Sequence, residues 1–465
     1  MFLINDDHLD KTAIICNDGN IITYKELKKL IENFGNNFEK RSLIFLLVPN
    51  KLYSIVSYLA CLEYNLIPLL LNERIRNDQL INLIEIYKPK YILSERKIIH
   101  YDYLKDVSLE ESNLFIRSKT YKTNLHKNLA LLLTTSGSTG SPKLVKLTKE
   151  NIVSNAKSIS KYLKLGCDDR AITSLPFYYS YGLSVINSHL FSGGSIVLSK
   201  SSMMEEKFWN KINGCFVTSI AGVPYNYDML LRLGIDNLKI PTVKKMTQAG
   251  GKLGWEKVKK INDYLKLKGI DFYVMYGQTE ATARISYLPC ESVDKKPKSI
   301  GIPIPGGKLW IENKKGLKIS ETMIIGEMVY EGPNVSMGYA ESVESLSVGD
   351  VNNGVLRTGD LAYFDEEGYF FIEGRNNRFI KVFGNRISLN SLEKLIAKKG
   401  FDNIVIGEDD KIIIYIKKTK RVSIGNFIKE ISEEIGINMV AITIKQVYDF
   451  PRLDSGKINY KVLNT

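Results

Sequence analysis

Between residues 134 and 143 the chain reads Thr134-Thr135-Ser136-Gly137-Ser138-Thr139-Gly140-Ser141-Pro142-Lys143, glycines and hydroxyls with one lysine and no bulky side chain. Glycines let backbone N–H groups turn inward on an anion, hydroxyls donate further hydrogen bonds, and an ammonium adds a point charge, so the composition is one that holds phosphate. It is not a Walker A loop, because Lys143 lies beyond Pro142 instead of directly after the last glycine. Met275-Tyr276-Gly277-Gln278-Thr279-Glu280 ends in a carboxylate that suits Mg²⁺, an ion that takes one or two carboxylates together with substrate phosphates. Arg357-Thr358-Gly359-Asp360 sets an acid after a tight turn, where it can accept hydrogen bonds from ribose hydroxyls. Gly374-Arg375 and Gly384-Asn385-Arg386 put two arginines on glycine-flanked turns suited to sugar and phosphate oxygens. Pro451-Arg452-Leu453-Asp454-Ser455-Gly456-Lys457 sets a lysine on a turn near the C-terminus. Each stretch alone also has an ordinary reading: a surface linker, a solvated glutamate, a turn aspartate, surface salt bridges and a frayed tail.

The elements that must position these residues follow from the apolar pattern. Residues 129–133 form a buried-strand run ahead of the glycine-rich stretch, and a helix begins only near residue 148, which leaves the phosphate to a loop instead of a helix end. Apolar runs at 42–49, 66–71 and 91–93 alternate with helical stretches at 51–64 and 77–87, an order that argues for parallel strands with crossover helices. The alternation resumes over 148–275, with helices expected at 148–165 and 255–267 and strands at 243–247 and 272–275. Glu280 then lies at the carboxyl end of a strand, where open α/β sheets place ligands. From residue 299 the chain turns to short, glycine-punctuated strands, and from 379 to a small α+β pattern with helices at 388–398 and 424–435. The expected fold is α/β: a large N-terminal domain of α/β layers over 1–376, including a β-rich subdomain over 299–376, and a small mobile α+β C-terminal domain over 377–465.

Composition narrows the function classes. A chain of 465 residues exceeds the size of a single core, and 44% hydrophobic with 25% charged residues is an ordinary globular composition. The net charge of +13 is spread without a basic run, which argues against nucleic acid as the partner. Five widely spaced cysteines with no Cys-x-x-Cys pair argue against a zinc site or a disulfide framework. The first residues lack a basic segment followed by a long apolar one, and no run reaches membrane-spanning length, so a cytoplasmic protein is expected.

Taken together, in order and spacing, these stretches closely resemble the AMP-forming adenylating superfamily of acyl-CoA synthetases, nonribosomal peptide synthetase adenylation domains and firefly luciferase. The match runs from Ile22-Thr23-Tyr24-Lys25-Glu26-Leu27 to Lys457, and Ser136 to Lys143 and Tyr276 to Glu280 are its most specific signatures. The resemblance implies that Ser136, Gly137, Ser138, Thr139, Gly140 and Lys143 guide the β- and γ-phosphates of ATP and that Glu280 ligates Mg²⁺. It implies that Tyr276 and the backbone of Ala249-Gly250-Gly251 sandwich adenine, with Gly277, Gln278 and Thr279 in the same nucleotide-binding segment. Asp360, helped by Arg375, would hold the ribose, Arg386 would approach the phosphates, and Lys457 would bridge the substrate carboxylate and the α-phosphate. Thr139, Lys143, Glu280 and Lys457 would form the catalytic set. Asn377 stands at the hinge, where many relatives carry aspartate.

The implied reaction is ATP-dependent activation of a carboxylic acid to acyl-AMP, with pyrophosphate released, then transfer to a thiol. In Pro176-Phe177-Tyr178-Tyr179-Ser180-Tyr181-Gly182-Leu183 many relatives carry His where Tyr179 stands; the tyrosine either reshapes the acyl-pocket floor or belongs to a structural aromatic cluster. Tyr225 and Ala281 would line the remaining wall. No Asp occurs between residues 176 and 190, which leans against an α-amino acid. Coenzyme A is the first acceptor to consider and the phosphopantetheine of an acyl carrier protein the second. A non-catalytic nucleotide-binding scaffold comes last, since Lys143, Glu280, Asp360, Arg386 and Lys457 are all present.

Overall fold

The computed structural model describes residues 3–4, 6–36, 38–100, 102–109, 112–118, 121, 123–134, 143–375, 378–383, 385–418, 423–453 and 456–463. The chain divides into two compact units, Met1–Leu309 with Tyr330–Leu356, and Trp310–Val329 with Arg357–Thr465.

The first unit holds two sheets. In one, Leu43–Leu47 lies between Ile67–Leu71 and Tyr91–Ser94, all parallel, and Ile67–Leu71 is followed in the same direction by Leu131–Thr134. Every residue of Leu43–Leu47 and Ile67–Leu71 is buried. Strands buried on both faces read as continuous apolar runs, which is why they were visible in the sequence. Leu144–Leu147, absent from the expected elements, pairs antiparallel with Leu131–Thr134, with Thr134 opposite Leu144. The glycine-rich stretch therefore connects two paired strands, and the capped helix Lys149–Tyr162 starts only afterwards, with Thr148 and Asn151 forming a reciprocal capping box.

The second sheet runs parallel through Thr12–Ile15, Ser195–Val197, Arg170–Ile172, Ser219–Gly222, Lys245–Gln248 and Asp271–Tyr276. Ser286–Leu288 and Ser299–Pro303 extend it antiparallel. The register sets Gly222 beside Gln248 and Gln248 beside Val274, so three successive strands leave the sheet at one end. Residues 182–191, which mix apolar with small polar side chains, belong to the buried helix Ser180–Phe191.

In the second unit, Ile311 and Glu312 pair antiparallel with Ile319 and Lys318, and residues 360–364 with Phe370–Arg375. The hairpin Phe379–Val382 with Asn385–Ser388 leads into the helix Leu389–Lys398, whose cap Ser388 accepts from the Ser391 N–H. Asn403–Glu408, Lys411–Lys417 and Ile442–Val447 form a sheet under that helix and Ile424–Ile435, around a core that includes Val382, Ile396, Val405, Ile414, Phe427 and Ile431. The result is an α/β fold with large N-terminal sheets and a small C-terminal α+β domain. Among the described residues no helix is long and apolar enough to cross a membrane.

Candidate active site

The carboxyl ends of the parallel strands in the first unit collect much of what the sequence marked. Lys245–Gln248 runs into Ala249-Gly250-Gly251, where the Gln248 amide donates to the Gly251 carbonyl at 3.0 Å. Gly250 has φ +86°, and a Cβ there would sit 2.5 Å from the Tyr179 hydroxyl, so glycine is required twice over. Gly251 is tight in a milder way, its Cβ position lying 3.3 Å from Pro224. Ser219–Gly222 leads directly to Tyr225, which packs at the edge of the same apolar cluster as Tyr179, Ala249 and Ala281.

Asp271–Tyr276 delivers the acidic segment. The Tyr276 hydroxyl accepts from the Gln278 amide at 3.0 Å, and the Thr279 hydroxyl is 3.2 Å from that of Ser180. A Cβ on Gly277 would lie 1.9 Å from the Ala283 carbonyl oxygen, so the chain can double back only with glycine at that point. Glu280 is half-buried and its carboxylate accepts from the Tyr339 hydroxyl at 2.6 Å. Tyr339–Ala340 pairs with Leu144–Leu147, setting Tyr339 opposite Val145 and Ala340 opposite Leu144. Lys143 thereby reaches Glu341 at 2.7 Å and lies 5.5 Å over the Tyr339 ring. Lys143 and Glu280, far apart in sequence, meet at one tyrosine. Neither Tyr339 nor Glu341 was singled out by the sequence; Tyr339 follows Gly338, Glu341 follows Ala340, and neither shows a motif of its own.

Asn334 was missed as well. It is 1% exposed, its amide donates to the carbonyls of Ala281 at 2.8 Å and Arg284 at 2.9 Å, and its oxygen accepts from the Tyr330 hydroxyl at 2.7 Å. Its own carbonyl accepts from Thr282, which holds the left-handed φ of +63° that turns the chain after Glu280. Asn334 thus fixes the whole 279–284 segment.

Beside that segment lies a tyrosine cluster. Tyr179 and Tyr181 have ring centroids 6.3 Å apart, the Tyr181 hydroxyl bonds Thr247, and the guanidinium of Arg284 lies 3.9 Å over the Tyr181 ring. Tyr162 stacks on Tyr287 at 4.2 Å. Burial pushes the hydroxyls of Tyr162 and Tyr179 well above the usual phenol range and raises that of Tyr181, although Arg284 pulls the other way.

In the second unit, Asp360 is opposite Arg375 in the antiparallel pair, and the two carry a 3.2 Å ion pair with the carboxylate buried and the guanidinium exposed. Thr358 anchors the turn, donating to the Met328 carbonyl at 2.7 Å and accepting from the Asp360 N–H, with Gly359 at φ +71°. Lys457 is on a closed turn and not in a frayed tail. Its carbonyl accepts from the Leu453 N–H at 2.8 Å, Arg452 donates to the Gly456 carbonyl at 2.9 Å, and Arg452 bridges to Ile458. The backbone of Arg386 lies in the strand Asn385–Ser388, opposite Lys381. Ser136, Gly137, Ser138, Thr139, Gly140 and Asn377 lie outside the described residues.

A family model described as AMP-binding enzyme matches residues 4–340. The chain is 29% identical over 405 residues to the 2-succinylbenzoate–CoA ligase of Oceanobacillus iheyensis, an alignment covering 84% of this chain and 81% of that one. It is 30% identical over 287 residues to the oxalate–CoA ligase of Arabidopsis thaliana, covering 61% and 55%. In fold it resembles the o-succinylbenzoate CoA synthetase of Bacillus subtilis solved in complex with ATP and magnesium ion, at TM-score 0.75 and 23% identity over 98% of this chain and 97% of that one.

Proposed function

The chain belongs to the AMP-binding enzyme family, and from that premise we propose how its residues divide the work. The protein is an AMP-forming acid–CoA ligase. A carboxylate is a poor electrophile, so its oxygen first attacks the α-phosphorus of ATP; pyrophosphate leaves and a mixed anhydride forms. A thiolate then adds to the acyl carbon and AMP departs, giving the thioester.

The loop from Ser136 to Gly140, with Thr139 and Lys143, takes the β- and γ-phosphates, and Lys143 offsets the charge that gathers as pyrophosphate leaves. Glu280 offers one hard carboxylate oxygen beside that lysine, the donor set Mg²⁺ prefers when phosphates complete its shell. Bound there, the ion would act as a Lewis acid on the phosphate oxygens. Tyr276, with Gly277, Gln278 and Thr279 behind it, and the backbone at Gly250 and Gly251 flank the adenine. Asp360 and Arg375 hold the ribose, Arg386 approaches the phosphates, and Lys457 bridges the substrate carboxylate and the α-phosphate. Tyr179, Tyr225 and Ala281 line the acyl pocket. The 377–465 domain turns about Asn377 between the two half-reactions. The observation that carries this reading is the meeting of Lys143 and Glu280 at Tyr339, because separate sequence segments have no structural need to bring a phosphate-binding cation and a metal-binding anion together.

The substrate is a carboxylic acid, and coenzyme A is the proposed acceptor, in the reducing cytoplasm; among the described residues no disulfide joins the five cysteines. Pyrophosphate release is measured with a panel of acids, and the best acid is then offered free CoA or a holo acyl carrier protein. Thioester on CoA is expected, and thioester on the carrier alone would move the assignment to carrier loading. Lys457→Ala is expected to abolish acyl-adenylate formation while thioester formation from supplied acyl-AMP largely persists. Equal loss in both steps removes the role given to Lys457.

A further inference from the structure

Three cations are buried among the described residues, and two of them are matched. Lys245 pairs with Asp169 at 2.6 Å, and Lys146 donates to the carbonyls of Ser345 and Val348 at 3.2 and 2.8 Å. Arg284 differs. It is 3% exposed, its Nε has no hydrogen-bond partner, and among the described residues no carboxylate pairs with it. A guanidinium cannot shed its proton to escape burial. The Tyr181 ring beneath it and the Tyr162 hydroxyl within its reach satisfy part of the charge. The surrounding phenols are held neutral by burial, so none of them serves as a counter-ion. The cation lies in the tyrosine cluster, four residues after Glu280, beside the residues assigned above to the acyl pocket.

We propose that the acid activated by this enzyme carries a second anionic group, a carboxylate or sulfonate, and that Arg284 is the specificity-determining residue that receives it. The inference rests on the acid–CoA ligase reading and adds the substrate class. A buried cation left unmatched in the free enzyme loses stability until an anion arrives, so binding energy is returned only to acids that bring one. An uncharged tail of the same size would leave the guanidinium buried and unpaired. A dicarboxylate can also hydrogen-bond the open Nε, which a methyl-ended chain cannot.

The test compares dicarboxylic acids, linear and aromatic, with their half-amides, which match them in size and lack the second charge. Wild-type protein is expected to release pyrophosphate with at least one dicarboxylate at a kcat/KM on the order of 100-fold or more above its half-amide. Arg284→Met is expected to remove most of that ratio, chiefly through KM, and Arg284→Lys to restore part of it. Preference of wild type for the half-amides, or a loss in Arg284→Met that is equal for charged and uncharged acids, overturns the proposal and leaves Arg284 a packing residue. Should Arg284→Met not fold, the wild-type ratio decides alone. Pyrophosphate release with uncharged acids only would defeat this inference while the ligase reading stands; release with no acid would defeat both.

Discussion

Replacing Asn334 with alanine removes a side chain that no sequence motif advertises and that touches no substrate, yet the cost can be worked from its bonds. Three hydrogen bonds disappear, those to the carbonyls of Ala281 and Arg284 and the one from the Tyr330 hydroxyl. The Arg284 carbonyl keeps a partner, because the Asn155 amide also donates to it at 3.3 Å. The Ala281 carbonyl keeps one too, accepting from the Ala283 N–H at 2.6 Å, so one group is left buried without a partner, the Tyr330 hydroxyl, at about 1–3 kcal/mol. Asn334→Ala should therefore destabilise the first unit by roughly 2 kcal/mol. Asn334→Asp should cost at least as much, since a carboxylate oxygen would face the two carbonyls the amide now serves.

Trp209 and Trp255 lie in the first unit and Trp310 in the second, so urea unfolding followed by tryptophan fluorescence in a Trp310→Phe background reports on the unit concerned. Activity under native conditions should fall further than stability alone explains, because loosening the 279–284 segment displaces Glu280, and about 1 Å of misplacement can cost on the order of 100-fold. A midpoint within error of the parent, or full ATP-pyrophosphate exchange activity in the folded variant, would refute the view that Asn334 sets this segment.

Glu341→Gln should lower the KM for ATP by at most about fivefold, since an ion pair as exposed as that with Lys143 is worth about 0–1 kcal/mol; in a Lys143→Ala background the same change should do nothing, and an effect of equal size there would deny the coupling. His189 is buried and its Nδ1–H donates to the Val185 carbonyl at 2.8 Å, and burial lowers its pKa to about 4, against the opposing pull of that hydrogen bond and of Asp169 and with the help of Lys245. The unfolded chain takes up this proton below pH 6.5 and the folded one only near 4, so stability should fall by roughly 3 kcal/mol as pH drops across that window, and His189→Asn should flatten the slope. Identical pH dependence of the urea midpoint in both proteins would rule His189 out.

The sequence revealed parallel strands and helices because their apolar faces are local patterns. Trp255–Leu267 and Ile424–Ile435 fall where the periodicity predicted them. Leu144–Leu147 escaped because Lys146 interrupts its apolar run, and what makes that lysine buriable is a pair of carbonyls at Ser345 and Val348, far along the chain. The two-residue strand Tyr339–Ala340 is too short to carry any period. The residues proposed for the chemistry, among them Lys143, Glu280, Asp360 and Lys457, stand out in the sequence by their type and their glycine- or hydroxyl-rich neighbours.

Their supports were not, and the reason is general. A phosphate or metal ligand is selected for its functional group, so its identity survives inspection of the chain alone. A residue such as Asn334 is selected for where two carbonyls happen to point, and any polar side chain of the right reach at a suitable position could serve. Arg284 sits between these classes. In the sequence it is one of 64 lysines and arginines, and only burial without a counter-charge separates it from the solvated ones. Its unmatched burial is the feature on which the specificity role proposed for it rests, because a buried charge without a counter-charge is costly.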